Sequence, residues 1–377
     1  MRASEYGLDT HYDRIQDEVR AVLDGVAPED REPTGGRLSP LLVKAFAESN
    51  LSEHMVAARH GGRTETIDPL AVCVIREALM NSSSQLDALF SLQGIGSYAL
   101  SRAGHPEVQQ HWLPRIARGE ALAAMALTEP HAGSDLKSIT TTMHEDGDDL
   151  VISGHKNYIS HASVADVITV FVREGEGYSL AVVPARTPGL RIEDGPTLIA
   201  PHEVSDLYFD EVRVPRSHRI GAPGEAFEHV LATLTVFRAS VAGSAVGLAQ
   251  AALDTALEHC VTREQFGRPL WKLGAVGALL ADCAGEVEMA RLLAYRAAGR
   301  AKAGSPDALD YSSMAKLATT EIACRVVDRC LQTMGRFGLE AEGHMAQLYL
   351  IARPLRIYEG ANEVLRLGVA RYLVGAR

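Results

Sequence analysis

Residues 121 to 222 change hydrophobic period, and that change restricts the fold more than any other feature of the chain. Before this block the apolar residues recur at helical spacing, as in Leu41, Leu42, Ala45 and Phe46, or Leu86, Leu89, Phe90 and Leu92. Inside it the apolar runs are short and β-branched: Leu150-Val151-Ile152-Ser153-Gly154, Val167-Ile168-Thr169-Val170-Phe171-Val172, Leu180-Ala181-Val182-Val183-Pro184 and Leu207-Tyr208-Phe209. Gly and Pro separate them, as in an antiparallel sheet or small barrel. From about residue 225 the long pattern returns. Phe227, Val230, Leu231, Leu234 and Phe237 make one stripe, and Ala- and Leu-rich stretches follow through Leu257, Leu279 to Arg300 and Tyr311 to Thr333. Long helices with few breakers pack as a bundle. The expectation is a mainly α chain with a β middle domain: an N-terminal helical domain over 1–120, a β-barrel-like domain over 121–224 and a C-terminal helical bundle over 225–377, with boundaries near Gly119 and Gly224.

The length of 377 residues, 46% hydrophobic and 23% charged, suffices for two or three domains with cores of their own. A formal net charge of -11 argues against nucleic acid or an anionic membrane as a partner. Met1-Arg2-Ala3-Ser4-Glu5 lacks an apolar signal region, and no apolar run reads as long enough to span a bilayer. Cys73, Cys260, Cys283, Cys324 and Cys330 make no CxxC pair, and no HExxH occurs. Buried thiols in a reducing cytoplasm are expected, with no metal site.

Two glycine motifs are decoys. Gly94-Ile95-Gly96-Ser97-Tyr98-Ala99 matches a dinucleotide pattern, but Leu86 to Gln93 before it reads as helix instead of strand. His60-Gly61-Gly62 lacks the GxSxG elbow that would make it an oxyanion loop, and reads as a loop between helices. Trp112 and Trp271 are expected to be packing residues.

Four segments carry chemistry. Arg356-Ile357-Tyr358-Glu359-Gly360-Ala361-Asn362-Glu363 puts a carboxylate on a short turn between helices, with Asn362 as a helix N-cap and Val364, Leu365 and Leu367 continuing an apolar face. A base beside a helix N-terminus suits proton abstraction next to a carbonyl; the plain reading is a solvated interhelical turn. Leu127-Thr128-Glu129-Pro130-His131-Ala132-Gly133-Ser134-Asp135 offers hydroxyls and backbone N–H groups to a ring edge or a phosphate, or is a simple turn. Lys156-Asn157-Tyr158-Ile159-Ser160 sets an aromatic beside a hydroxyl, to flank a flat cofactor or to pack in the core. Thr262 to Leu270 interrupts the bundle with Arg263, Phe266 and Gly267, to grip a diphosphate or to turn between helices.

In this order these segments resemble the acyl-CoA dehydrogenase family, from about Leu51 to the end. The resemblance also rests on Gln109-Gln110-His111-Trp112-Leu113-Pro114, Phe209-Asp210-Glu211-Val212-Arg213-Val214-Pro215 and Ile357-Tyr358-Glu359-Gly360. It implies a C-terminal four-helix bundle, FAD between the β-domain and that bundle, and a homo-oligomer, dimer or tetramer. It assigns Met125, Leu127, Thr128 and Ser134 to one side of the flavin and Tyr158, Ile159 and Ser160 to the other. Arg263, Gln265, Phe266, Gln332 and Gly335 would touch the FAD of a neighbouring subunit, with Ala361 and Glu363 also at the cofactor. Ser134, Arg238, Tyr358 and Gly360 would meet the substrate. Glu359 matches the catalytic base that takes the α-proton of an acyl thioester while the β-hydrogen leaves as hydride to flavin N5; its backbone N–H would help bind the thioester carbonyl. Electrons would pass to an electron-transferring flavoprotein or to oxygen.

The chain departs from the family in places. Thr235 stands where the family often has Asp or Glu, Leu273-Gly274 replaces a Phe-Gln pair, Gly335-Arg336 a Gly-Gly, and His131 a Gly or Asn at the loop before Ser134. These leave Glu359 intact and open a carrier-protein thioester as an alternative to coenzyme A. A flavin monooxygenase or oxidase on the same scaffold is the second reading.

Overall fold

A computed structural model describes residues 2–31 and 37–375, so Met1, residues 32–36 and Ala376–Arg377 of the expected outer domains lie outside it. Five helices come first: α1 (His11–Asp24), α2 (Pro40–Glu48), α3 (Pro69–Met80), α4 (Ser84–Ala103) and α5 (Pro106–Ala117). The strands are β1 (Ala123–Ala126), β2 (Thr142–Asp146), β3 (Asp149–Ser160), β4 (Val167–Glu174), β5 (Gly177–Pro184), β6 (Leu190–Asp194), β7 (Val204–Pro215) and β8 (Arg219–Ile220). Then come α6 (Ala226–Thr262), a hairpin of β9 (Glu264–Gln265) and β10 (Arg268–Pro269), α7 (Gly274–Lys302), α8 (Ala308–Met334), α9 (His344–Ala352) and α10 (Asn362–Gly375).

Local chemistry starts the first helices. The Asp68 carboxylate accepts from the Leu70 and Ala71 N–H groups, and Pro69 opens α3. Ser83 accepts from the Leu86 N–H at the head of α4. The decoy glycines have a packing use. A Cβ on Gly94 would lie 2.2 Å from Phe237 Cζ, and one on Gly96 would lie 2.8 Å from the Ala123 Cβ, so α4 seats against α6 and β1 only through glycine. His60 closes a 3-10 turn, and Gly61 follows it at φ 95.

The sheet runs in the order β6-β7-β3-β2-β4-β5-β8, with β1 added beside β4. It is antiparallel except where β1 pairs with β4 and where β2 touches β4, both parallel. The four β-branched runs lie in β3, β4, β5 and β7. The strand β1, Ala-Ala-Met-Ala, carries no β-branched residue and forms because Val167 to Val170 offer it a free edge. A register shift between Lys156 and Ile159 bulges β3 near its end. Tyr158 sits in that bulge at φ 55 and is 51% exposed, which is how a bulge re-aims a side chain.

One apolar core joins α1 to α4 with α6 to α9. A second lies where α4, α5 and the start of α6 meet the sheet, and a third within the sheet. Helix α6 is common to the first two. By length and composition it is apolar enough to cross a membrane, contrary to the expectation that no run is, but 72% of that window is buried within the protein. It is a core helix, apolar on all sides because helices surround it. Backbone meets backbone along its contact with α3. A Cβ on Gly243 would lie 2.4 Å from the Cys73 carbonyl oxygen, and one on Gly247 2.1 Å from that of Glu77. Trp112 is buried as expected, whereas Trp271 is 46% exposed and does not belong to the core.

Candidate active site

After α9 the chain makes a 3-10 turn over Pro354–Arg356 and crosses to α10 through Ile357 to Ala361. In that crossing Glu359 takes φ 52, a left-handed conformation that costs a non-glycine residue energy unless its surroundings enforce it. Two cations do so. Arg238 of α6 donates from Nε to the Glu359 carbonyl oxygen at 2.8 Å. Lys316 of α8 donates to the Gly360 carbonyl oxygen at 2.7 Å and to Asn362 Oδ1 at 3.0 Å. Gly360, at φ 107, has no room for a side chain: a Cβ would lie 2.9 Å from Arg238 Nη2.

The Glu359 side chain is 15% exposed, with Oε1 3.9 Å from Arg76 Nη1. Its Oε2 is buried without a hydrogen-bond partner, and its backbone N–H has none among the described residues. Burial raises the carboxyl above its ordinary value; the charges of Arg76, Arg238 and Lys316 oppose that rise and do not cancel it. A carboxylate with raised proton affinity and a free oxygen has the properties of a general base.

Two expectations about this segment need correction. Asn362 does not cap α10. It is wholly buried, and its side chain donates to Thr320 Oγ1 and Glu321 Oε1, tying α10 to α8. The first turn of α10 bonds instead to the Ala361 carbonyl oxygen. Nor do Val364, Leu365 and Leu367 form a buried face: Leu365 is buried, while Val364 is 42% and Leu367 60% exposed.

The loop after β1 meets the end of β3. Asn157 N–H donates to the Thr128 carbonyl oxygen at 3.0 Å, which brings Met125, Leu127 and Thr128 beside Tyr158, Ile159 and Ser160. What fixes the loop is an ion pair that the sequence reading passed over. Lys156, wholly buried, reaches Glu129 Oε1 at 2.8 Å and the Leu127 carbonyl oxygen at 3.0 Å. Glu129 also accepts from the N–H groups of Thr140 and Thr141. Burial alone would push its carboxyl up; the bonds from Lys156, Thr141 and Thr140 outweigh burial and hold it at about 2. A Lys buried within a strand requires such a partner. Ser134 is exposed on the same loop, as is His131. Ser160 Oγ is 2.7 Å from His202 Nε2, a ring that burial pushes down to about 4 and keeps neutral. Thr235, where a carboxylate would be usual, bonds its hydroxyl back to the Leu231 carbonyl oxygen.

Arg263 ends α6, and the residues after it form a hairpin in place of a plain turn. Phe266 and Gly267, at φ 52 and 72, make its two-residue tip. Phe266 is 88% exposed. The Arg263 guanidinium lies 5.5 Å from the centre of the Phe337 ring, so the hairpin base meets the turn Gly335–Leu339 that follows Gln332. Among the described residues no hydrogen bond or ion pair joins Arg263, Gln265, Phe266, Gln332 or Gly335 to the Glu359 turn. Ala361 lies directly after that turn, and Glu363 is exposed on α10.

Family models match nearly the whole chain: acyl-CoA dehydrogenase, N-terminal domain, over residues 9–120; middle domain, over 124–212; and C-terminal domain, over 224–374. A cyclohex-1-ene-1-carbonyl-CoA dehydrogenase of Geobacter metallireducens is 35% identical over 359 residues, 93% of this chain and 94% of that protein. The mitochondrial short-chain specific acyl-CoA dehydrogenase of Mus musculus is 32% identical over 82% of this chain and 76% of its own. The structure of butyryl-CoA dehydrogenase from Megasphaera elsdenii superposes with a TM-score of 0.93 at 25% identity, covering 97% of this chain and 99% of that one.

Proposed function

The chain belongs to the acyl-CoA dehydrogenase family and is an FAD-dependent oxidoreductase acting on the CH–CH group of an acyl-CoA, and from that premise we propose that Glu359 is its catalytic base. The carrying observation is the Glu359 carboxylate itself, fixed by Arg238 and Lys316 through its turn while Oε2 stays free. The α-proton of a thioester is weakly acidic, so its removal needs a base of raised proton affinity and a donor for the carbonyl oxygen as charge develops there. Glu359 supplies the first through Oε2, and its unpaired backbone N–H supplies the second. Arg238, Tyr358, Gly360 and Ser134 would position the acyl thioester around it.

The donor set fits FAD. Tyr158, turned outward by its bulge, would offer an aromatic face to the flavin beside Met125, Leu127 and Thr128, and Ser134 and Ser160 would offer hydroxyls. Arg263, Gln265, Phe266, Gln332 and Gly335 would hold the diphosphate and adenosine parts for a neighbouring subunit, and Ala361 and Glu363 would complete the cofactor side. FAD, when bound, supplies the acceptor for the hydride that leaves the β-carbon. The same reading divides the chain into domains at 1–120, 121–224 and 225–377 and makes it a cytoplasmic homo-oligomer, dimer or tetramer, on the support of its free thiols and its exposed Phe266, Met289 and Leu292. An electron-transferring flavoprotein would be the onward acceptor.

Coenzyme A is the handle we assign, as in the family, and an acyl-carrier protein is the alternative that Thr235 leaves open. Anaerobic addition of acyl-CoA and acyl-carrier-protein thioesters to the FAD-loaded protein tests both assignments. Bleaching of the flavin bands by one set supports the dehydrogenase and names its handle. Bands that stay oxidised across both sets refute it.

A further inference from the structure

Behind Glu359 lies a buried ion pair. Arg76 of α3 is 2% exposed and Asp87 of α4 is 1% exposed. Arg76 donates from Nε to Asp87 Oδ1 and from Nη2 to Asp87 Oδ2, both at 2.8 Å, and from Nη1 to Ser240 Oγ at 3.0 Å. Ser244 donates to Asp87 Oδ2 at 2.9 Å. Both serines belong to α6, at the crossing that Gly243 and Gly247 allow, so three helices fix the guanidinium. A buried pair of this kind adds little stability over an apolar pair of similar volume, because desolvation offsets the attraction. Its presence calls for another explanation.

The charges around Glu359 supply one. Arg238 on α6 and Lys316 on α8 each give one hydrogen bond to the backbone of the turn and spend another on Ser313 Oγ and Asn362 Oδ1, and neither bonds the carboxylate. Tyr358, on the same turn, is uncharged. Among the described residues, Arg76 is the cation within ion-pair distance of the Glu359 carboxylate, at 3.9 Å. Asp87 stands on the far side of the guanidinium and opposes its effect. We propose that Arg76 is a positioning residue for the base: anchored by Asp87, Ser240 and Ser244, it keeps the Glu359 carboxylate ionised and aimed, while Asp87 weakens that hold enough for Glu359 to accept a proton.

This rests on Glu359 being the base, so the test reads Glu359 without turnover as well as with it. The FAD-loaded protein is titrated by infrared spectroscopy, with the Glu359 carboxyl band identified by its loss in Glu359→Gln. The pH dependence of single-turnover flavin bleaching is then measured on the same samples. Arg76→Met with Asp87→Leu removes the pair as a unit, so that neither Arg76 nor Asp87 is left buried without the other. An opposite charge within about 4–6 Å lowers a carboxyl pKa by about 1–3 units, so the double variant moves both the carboxyl titration and the acid limb of the rate upward, by less than that range because the opposing charge of Asp87 is removed as well. Asp87→Asn moves them downward, and Arg76→Lys brings them back toward the wild type. A carboxyl titration unmoved in the double variant overturns the proposal, even if the rate falls. A titration that moves while no thioester bleaches the flavin upholds the role of Arg76 and refutes the dehydrogenase reading instead.

Discussion

Helix α6 carries two clusters of functional residues, and they sit in opposite surroundings. Near its middle, Arg238, Ser240 and Ser244 face inward to the Glu359 turn and the Arg76–Asp87 pair, and every group there has its place set by the same chain. At its C-terminal end, Arg263 opens a hairpin whose Phe266 tip is 88% exposed. The proton-handling half of the candidate site is complete within one chain. The half assigned to the cofactor's diphosphate lies on the surface of the chain. Chemistry that depends on a tuned carboxyl needs a low dielectric and fixed charges, whereas a diphosphate grip needs only reach and a guanidinium.

The sharpest way to break the inner half is Glu359→Gln. We expect FAD to be retained and thioester-driven bleaching to slow by about 10²–10⁴-fold, the usual contribution of general-base catalysis; stopped-flow absorbance reads it. Bleaching at the wild-type rate would remove Glu359 from the mechanism. Next in size is Lys156→Met, which strands Glu129 and costs about 3–5 kcal/mol, read as a lowered melting temperature with weaker FAD retention. The same pair makes a pH prediction. Glu129 is depressed from 4.5 to about 2, so its stabilisation is fully present above pH 4.5 and is lost as pH falls from there toward about 2. Thermal melts across that range should show the acid loss in the wild type and a smaller one in Lys156→Met.

For Glu359 the sign is opposite. Burial raises its carboxyl, and a base works only when ionised, so the bleaching rate should fall as pH drops through a midpoint above 4.5. A midpoint at or below the ordinary carboxyl value would mean that burial does not govern this residue. The smallest effect on the fold belongs to the outer half. Phe266→Ser should change the stability of the chain itself by no more than about 0.5 kcal/mol, yet reduce assembly and FAD retention, measured by sedimentation and by flavin released per chain. If both stay intact, the hairpin is not the contact proposed.

Much of the fold was readable from local pattern. The β-branched runs became strands, and the Ile357-Tyr358-Glu359-Gly360 segment became the turn expected. What escaped was set by non-local contacts. Ala123 to Ala126 has no strand signal of its own and pairs because β4 has an open edge. Asn362 looked like a cap by its neighbours in sequence and is instead a bridge to Thr320 and Glu321. Helix α6 gave no one-sided stripe over most of its length because it has no solvent side there. Arg76 and Asp87 each interrupt an apolar stretch, and that was the available sign that the two meet; only the structure shows that Arg76 faces Glu359.

The length of α6 has a genetic consequence. At about 1.5 Å per residue, its hairpin end lies roughly 37 Å along the axis from Arg238, too far to serve the carboxylate of its own chain. Each catalytic centre would then borrow its outer wall from a neighbour. Two defective alleles, one carrying Glu359→Gln and the other Arg263→Ala, should therefore complement one another when co-expressed: a mixed assembly contains centres in which both lesions fall on the same side, and others that carry none.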